Sequence, residues 1–463
     1  MKRLFTGCFM VALAVVLVGM TCQAEDYYVW IGSGAGSHSG TSDDPFVNIG
    51  DALTICQPGD QVYVAEGVYT EALIIPHQVT LWGSYSVDWS TQNIDQHTSV
   101  IDSQGIATVV TAQNQFYLDS FKITGGEVGV WSHDCGYSVV NNCIIHGLVG
   151  DNGESGPFGS PGHTTYGIHL LGSHVVVSGC DIYDITGGNG GSGYNYGDVS
   201  GTGGHAYGIY MEAANPNITD CSIVGITGGH GGNGSSDRAN GAPGGAACAI
   251  VANSGGIYGY LPNIYNNFIM DVFGGGGGDG GVDWDHAGDS ADAGWAGGIW
   301  LEGYDKAGGI TRNGIRDIYG GHGGQSAWAH FTPGLAGDGG YAFGVKIENS
   351  TDMEIRDNKL KYIEGGHGGH GGSAGDQPGT GTSTNGGQGG AARGIHSILC
   401  DEINFMNLLI SKIYGGDGNT GGAPMAVVSC GSGGKGGLAA GLDIEDGIHH
   451  VKQCTVSEVL GGN

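Results

Sequence analysis

The chain is short of basic residues and of long apolar runs, and each shortage removes a class of function. Fifteen lysines and arginines face 45 aspartates and glutamates, a net charge of −30. Between Glu25 and Asp237 the one basic side chain is Lys122. A nucleic-acid partner needs a basic stripe that displaces counterions from phosphates, and none is present. Acidic polysaccharides and anionic membranes are disfavoured for the same reason, whereas divalent cations are not. Beyond the amino terminus no segment is apolar over the length a membrane span requires. The amino terminus itself carries Lys2-Arg3, an apolar run from Leu4 to Met20 and the small-residue exit Cys22-Gln23-Ala24. This reads as a secretory signal peptide over 1–24, with a retained anchor as the alternative. A secreted or cell-surface chain is expected.

What the chain has in excess is glycine, 98 of 463 residues, against a usual share of about 7%. Glycine does not recur at every third position, which excludes collagen. The competing reading is flexible linker, and internal order defeats it. A phrase of the form small/aromatic-Gly-apolar recurs at Val128-Gly129-Val130, Tyr166-Gly167-Ile168, Tyr207-Gly208-Ile209 and Cys248-Ala249-Ile250. It returns at Gly297-Gly298-Ile299, Phe343-Gly344-Val345, Arg393-Gly394-Ile395 and Ala440-Gly441-Leu442. A second phrase ends on Leu148, Ile185, Ile226, Val272, Ile318, Ile363, Ile413 and Val459, mostly followed by x-Gly-Gly. The two phrases lie 17 to 22 residues apart, but successive repeats are 38 to 50 residues apart. A fixed inner spacing with an elastic outer one means one structural coil plus an insertion at a constant corner.

The inner segment is rich in Ile and Val, alternates with polar residues and is broken by Ser, Asn and Gly. About 20 residues with three short strands suit one coil of a parallel β-helix; a hairpin array is the alternative, and its turn signals are sparse. Five residues before each terminal apolar position stand Cys143, Cys180, Cys221, Asn267, Asn313, Asn358, Leu408 and Cys454. Stacked coils would pile these into a buried ladder, amides bonding amides and thiols filling the same shape. The cysteines could instead bridge, since export favours oxidation.

From Tyr27 to Tyr85 the chain resembles the amino-terminal module of secreted β-helix proteins of the pectate-lyase-like superfamily. The matching residues are Gly40-Thr41, Pro45-Phe46, Ile49, Ala52-Leu53, Pro58-Gly59-Asp60, Val62-x-Val64, Gly67-x-Tyr69-x-Glu71 and Val79-x-Leu81. The resemblance implies an all-β, right-handed, single-stranded parallel β-helix. Residues 25–85 would form an amino-terminal cap and first coils, and 86–463 coils with glycine-rich insertions at one corner. Asp44 is expected to cap a short helix with Pro45 at its first position, its apolar face closing the stack. The tail from Cys454 to Asn463 copies Cys180 to Asn189, so the natural protein is expected to continue.

The resemblance does not carry an activity. Lyases of that superfamily use calcium-binding aspartates beside a Lys or Arg base, and no such set falls on consecutive coils. On the strand after each Gly-apolar phrase the outward residues are Trp131, His169, Tyr210, Val251, Trp300, Lys346, His396 and Asp443, followed by His133, Leu171, Glu212, Asn253, Glu302, Glu348, Ile398 and Glu445. Trp131, His169, Tyr210, Glu212, Trp300, Glu302, Glu348 and His396 form the candidate ligand-binding face, aromatics and carboxylates together. Glu302 and Glu348, on adjacent coils, are the candidate catalytic pair at the separation of a retaining glycosidase; outward carboxylates on an acidic protein are the plainer reading. The insertions open with Gly-Gly-x-Gly-Gly and read as an ordered ledge of extended threads or as mobile loops. Their histidines, His230, His322, His367 and His370, read as solvated or as a transition-metal column. Asp279, Asp283, Asp285 and Asp289 are the candidate metal ligands, with calcium as the cation, against an acidic solvated loop. No cofactor is required. The function expected is a structural or binding β-helix whose partner is a neutral extracellular polysaccharide; the alternative is a polysaccharide-degrading hydrolase or lyase on the same fold.

Overall fold

Each coil spells out the same three strands, as in Thr165–Leu171, His174–Ser178 and Asp181–Thr186. The computed structural model describes residues 24–463 except 35, 77, 134–135, 173, 195–198, 236–237, 257–258, 284, 307, 374–382 and 422–431. The signal-peptide reading, Cys8 and Cys22 lie outside the described residues.

Equivalent strands of successive coils pair in parallel and build three sheets of a right-handed parallel β-helix. Sheet I has ten strands, from Leu73–Ile75 to Ala439–Glu445. Sheet II has twelve, from Asp26–Val29 to His449–Lys452, and sheet III eleven, from Gly67–Tyr69 to Thr455–Leu460. The inward positions stack as columns, such as Ile168, Ile209, Ile250 and Ile299, and all are fully buried in one continuous core.

The corner between sheets II and III turns on a single left-handed residue: Asn142, Gly179, Asp220, Asn266, Arg312, Asp357, Asn407 and Gln453 all have positive φ. Asn, Asp and Gly tolerate that conformation best, which explains their recurrence. The next residue is the ladder position. The Asn267, Asn313 and Asn358 amides donate to the carbonyls of Ile218, Ile264 and Ile310 one coil back. Cys143, Cys180 and Cys221 aim their thiols at the equivalent carbonyls of Leu118, Val140 and Val177. Amide and thiol thus serve one acceptor column, and these cysteines are free thiols.

The helix spans Ile49–Ile55 and buries Ile49, Ala52 and Leu53 against the first coils. Its start corrects the expected cap. Asn48, not Asp44, precedes the helix, and the Glu71 carboxylate accepts from the Ile49 and Gly50 N–H groups. Asp44 is drawn away because it accepts from Ser37, His38 and Ser39, which holds its carboxyl down at about 2.

The insertions leave between sheet III and the next strand of sheet I, and they form an ordered ledge. Outgoing and returning threads alternate: Gly204 donates to Gly188, Gly229 to Gly204, Gly245 to Gly229 and Gly275 to Gly245, all at 2.7–2.8 Å. The series runs on to Gly462. Within one thread donors recur every third residue, as Gly228, Gly231 and Gly234 bond to Phe273, Gly276 and Asp279. Three residues per turn without internal bonds is the habit of polyproline II. Among the described residues no thread glycine has positive φ, so closeness, not backbone freedom, selects glycine. A Cβ at Gly231 would stand 1.7 Å from the Ala242 carbonyl oxygen.

Candidate functional site

Sheet I turns its outward rows to solvent in the register that the sequence implies. Trp131, His169, Tyr210, Val251, Trp300, Lys346, His396 and Asp443 stack in one row. Leu171, Glu212, Asn253, Glu302, Glu348, Ile398 and Glu445 stack in the next. A third row went unrecognised in the sequence: Val128, Tyr166, Tyr207, Cys248, Gly297, Phe343 and Arg393. Its residues open the recurring phrase three positions before the first row, so strict alternation assigns them to the inner face; two consecutive buried residues, such as Gly167 and Ile168, bring them out. Arg393 adds a second basic side chain to the strip beside Lys346.

The third row converts scattered rings into a platform. Tyr207, Cys248, Val251 and Phe343 form a small buried cluster, and Tyr166, Tyr210, Trp295, Trp300 and Tyr341 pack on it while half exposed. Tyr166 stacks on His169 at 4.4 Å and on Tyr207 at 5.4 Å. Trp295 stacks on Tyr341 at 5.8 Å and meets Trp300 edge-on at 5.5 Å. Trp295 and Tyr341 come from returning threads, so the ledge helps to build this face. Two polar atoms within it, His169 Nε2 and Trp300 Nε1, are buried with no hydrogen-bond partner in the protein. Burial lowers the His169 pKa against a smaller pull from Glu212, which favours the neutral ring.

Beside the rings runs the acidic row. Tyr210 donates to Glu212 at 2.8 Å, and Asn253 to Glu302 at 3.1 Å. Burial, then the bond to Glu212, push the Tyr210 phenol well up. Lys346 lies over the Trp300 ring at 4.3 Å and pairs with Glu348 at 2.8 Å. Glu302 and Glu348 are direct register neighbours, each already engaged by a partner. At the far end His396, 7% exposed, contacts Glu445 at 3.1 Å, and Arg393 pairs with Asp443. His396, Asp443 and Glu445 could share an ion, as could Glu127, Asp151 and His163; Arg393 competes for Asp443 in the first set.

The insertion residues are placed differently. In the Gly-Gly-x triplets that end on Asn189, His230, His322 and His367 the third residue's side chain accepts an N–H from the next coil. Asn189 accepts from His230, His230 from Gly276, and His322 from His367. Asp279 accepts from Gln325 and Asp289 from Leu335, while Asp283 pairs with Arg238. Asp279, Asp283, Asp285 and Asp289 do not form one of the ligand clusters found among the described residues. His230, His322 and His367 spend Nδ1 on the backbone.

These features define a class: a β-helix with a glycine ledge, whose outer face mixes aromatic and acidic side chains. No protein-family model matches the chain, and no curated protein is similar to it in sequence. Among solved structures it is similar to an alginate lyase from Paenibacillus sp. str. FPU-7 at 12% identity, over 73% of this chain and 98% of that one, with a TM-score of 0.29. It is similar to the pectate lyase Pel9A at 12% identity over 73% and 76%, TM-score 0.34. A third is the GH136 lacto-N-biosidase from Eubacterium ramulus, 12% identical over 92% and 68%, TM-score 0.31. Likeness at this level leaves activity to be argued from the face itself.

Proposed function

We propose that this chain is a secreted or cell-surface β-helix that binds neutral glycan along sheet I without turning it over. The observation that carries the reading is the half-exposed aromatic platform with two unsatisfied polar atoms, His169 Nε2 and Trp300 Nε1, inside it. A buried polar group left unpaired costs about 1–3 kcal/mol, and hydroxyls of different residues of an extended glycan could serve the two atoms, three coils apart, once the side chains over them move aside. The C–H face of a pyranose suits a flat ring, and Glu212, Asn253 and Glu302 offer acceptors beside it. The carboxylate row and the net charge of −30 disfavour uronic-acid polymers.

The second reading, a glycoside hydrolase, rests on the adjacency of Glu302 and Glu348. Their engagement by Asn253 and Lys346 speaks against a free acid–nucleophile pair. A glycan array with a reducing-sugar release assay on every captured glycan tests both. Binding that weakens about tenfold in Trp300→Ala, with no sugar released, supports the binding reading. Release that stops in Glu302→Gln replaces it with the hydrolase, and no capture of any neutral glycan defeats it.

A further inference from the structure

A second cavity, of about 640 Å³, lies away from sheet I, at the corner where sheet III gives way to the outgoing threads. The outward column of the threads runs Asn189, His230, Gly276, His322 and His367. Gly276 alone among these five has no side chain, and the cavity opens around it. One wall is Phe273 and Tyr319, register neighbours whose rings lie 5.2 Å apart and within 9° of parallel. His322 and His367, stacked at 5.0 Å and 12°, also line it.

The imidazole chemistry is fixed by the ledge. His230, His322 and His367 each accept a backbone N–H at Nδ1. A neutral ring that accepts at Nδ1 carries its hydrogen on Nε2. These rings therefore offer donors and no free lone pair, which disfavours a metal ion. Asp279, also in the lining, commits one carboxylate oxygen to the Gln325 N–H. Asp279 and Glu364 in the lining disfavour an anion.

We propose that this corner is a separate site for a single neutral pyranose, its C–H face on Phe273 and Tyr319, its hydroxyls between the imidazole Nε2–H groups and Asp279. The volume falls within the ~300–1,000 Å³ of small-ligand sites. The site does not depend on sheet I, so either can fail alone.

The test uses methyl α-D-glucoside and methyl β-D-galactoside as probes, followed by saturation-transfer NMR and titration on the intact chain. Gly276→Asn installs the residue that the column already uses at Asn189. The atoms nearest its Cβ would be Nδ1 and Cε1 of His230, at 2.8 Å and 3.4 Å, and the His322 carbonyl oxygen at 3.5 Å, so the His230 ring must shift against its bond to the Gly276 N–H. Saturation transfer to either glycoside is expected, with binding about tenfold weaker in Gly276→Asn and unchanged in Gly34→Ala, where nothing lies within 4 Å of the added carbon. Phe273→Ala, at a ring 37% exposed, should weaken binding similarly and covers the case in which the asparagine disturbs the thread. No transfer to either probe overturns the proposal. So does unchanged binding in both corner variants, or loss in Trp300→Ala alone.

Discussion

The side-chain oxygen of Asn313 accepts two hydrogens from Asn267, one from its backbone N–H at 2.9 Å and one from Nδ2 at 3.0 Å. Asn358 does the same for Asn313 one coil on. Removing one amide therefore orphans groups on both sides. Asn313→Ala leaves the Asn267 N–H buried without its acceptor, at about 1–3 kcal/mol, and takes the amide donor from the Ile264 carbonyl. The urea midpoint should fall accordingly. Asn313→Cys should cost less, because a thiol at this position reaches the same carbonyl column, as Cys221 does. Equal midpoints for the alanine variant and the parent would show that the column is ornamental.

Gly231 tests whether the ledge is a packed layer. A methyl there would meet the Ala242 oxygen at 1.7 Å and its carbonyl carbon at 2.6 Å, both backbone. Neither can swing aside, so Gly231→Ala should cost at least the upper end of the ~1–3 kcal/mol of ordinary overpacking. Gly34→Ala, with nothing within 4 Å of the added carbon, is the matched control. Thermal melts of the two variants and amide protection at Ala242 and Gly245 read the difference. A ledge of mobile loops would make the two substitutions alike.

How much of this was written plainly in the sequence depends on period. The coil was legible because its two phrases keep a narrow spacing and its ladder column keeps chemical type from Cys143 to Cys221 and from Asn267 to Asn358. The first two outward rows followed from strand alternation. The third did not, because Tyr166 and Tyr207 read as the opening of a Gly-apolar phrase rather than as exposed strand positions. Trp295 and Tyr341 were hidden further, since threads that follow a period of three carry neither strand nor helix pattern. The loop histidines and aspartates looked like ligands in sequence because a backbone acceptor and a metal ligand call for the same atoms. Asp44 misled for a similar reason: it looked like a helix cap, but nearer N–H groups claim its carboxylate.

The ladder thiols should be inert in the folded chain. Cys180 is buried, and its hydrogen bond with Cys143, with burial adding, holds its thiol well above the usual range. Thiolate is the reactive form, so iodoacetamide should leave Cys143, Cys180 and Cys221 unlabelled. Cys454 is only half buried and should label first. Peptide mass spectrometry after a brief pulse reads the order. Rapid labelling of Cys180, or recovery of a Cys143–Cys180 disulfide from the native protein, would contradict the ladder.

The histidines of the ledge predict a loss of stability in mild acid. His205, His230, His322 and His367 accept the N–H groups of Ala246, Gly276, His367 and Asp417 at Nδ1. Protonation places a hydrogen on that nitrogen and sets donor against donor. Burial lowers the His205 pKa, and burial followed by the His367 ring lowers that of His322, against a smaller pull from Glu364. Both therefore bind protons less readily folded than unfolded, where the ring titrates near 6.5. Their contribution is fully present above that value and is lost as pH falls from 6.5 through the depressed folded values. Exposed carboxylates titrate near 4, and discharging them relieves repulsion in this acidic chain, an effect of opposite sign at lower pH. Melting temperature should thus fall between about pH 6.5 and 5. Protection of the Ala246 and His367 amides should fall faster than that of sheet amides. His322→Asn keeps an acceptor that does not titrate and should flatten part of the slope. A melting temperature that is level across this window, with the ledge amides still protected, would mean that the imidazoles do not hold the threads.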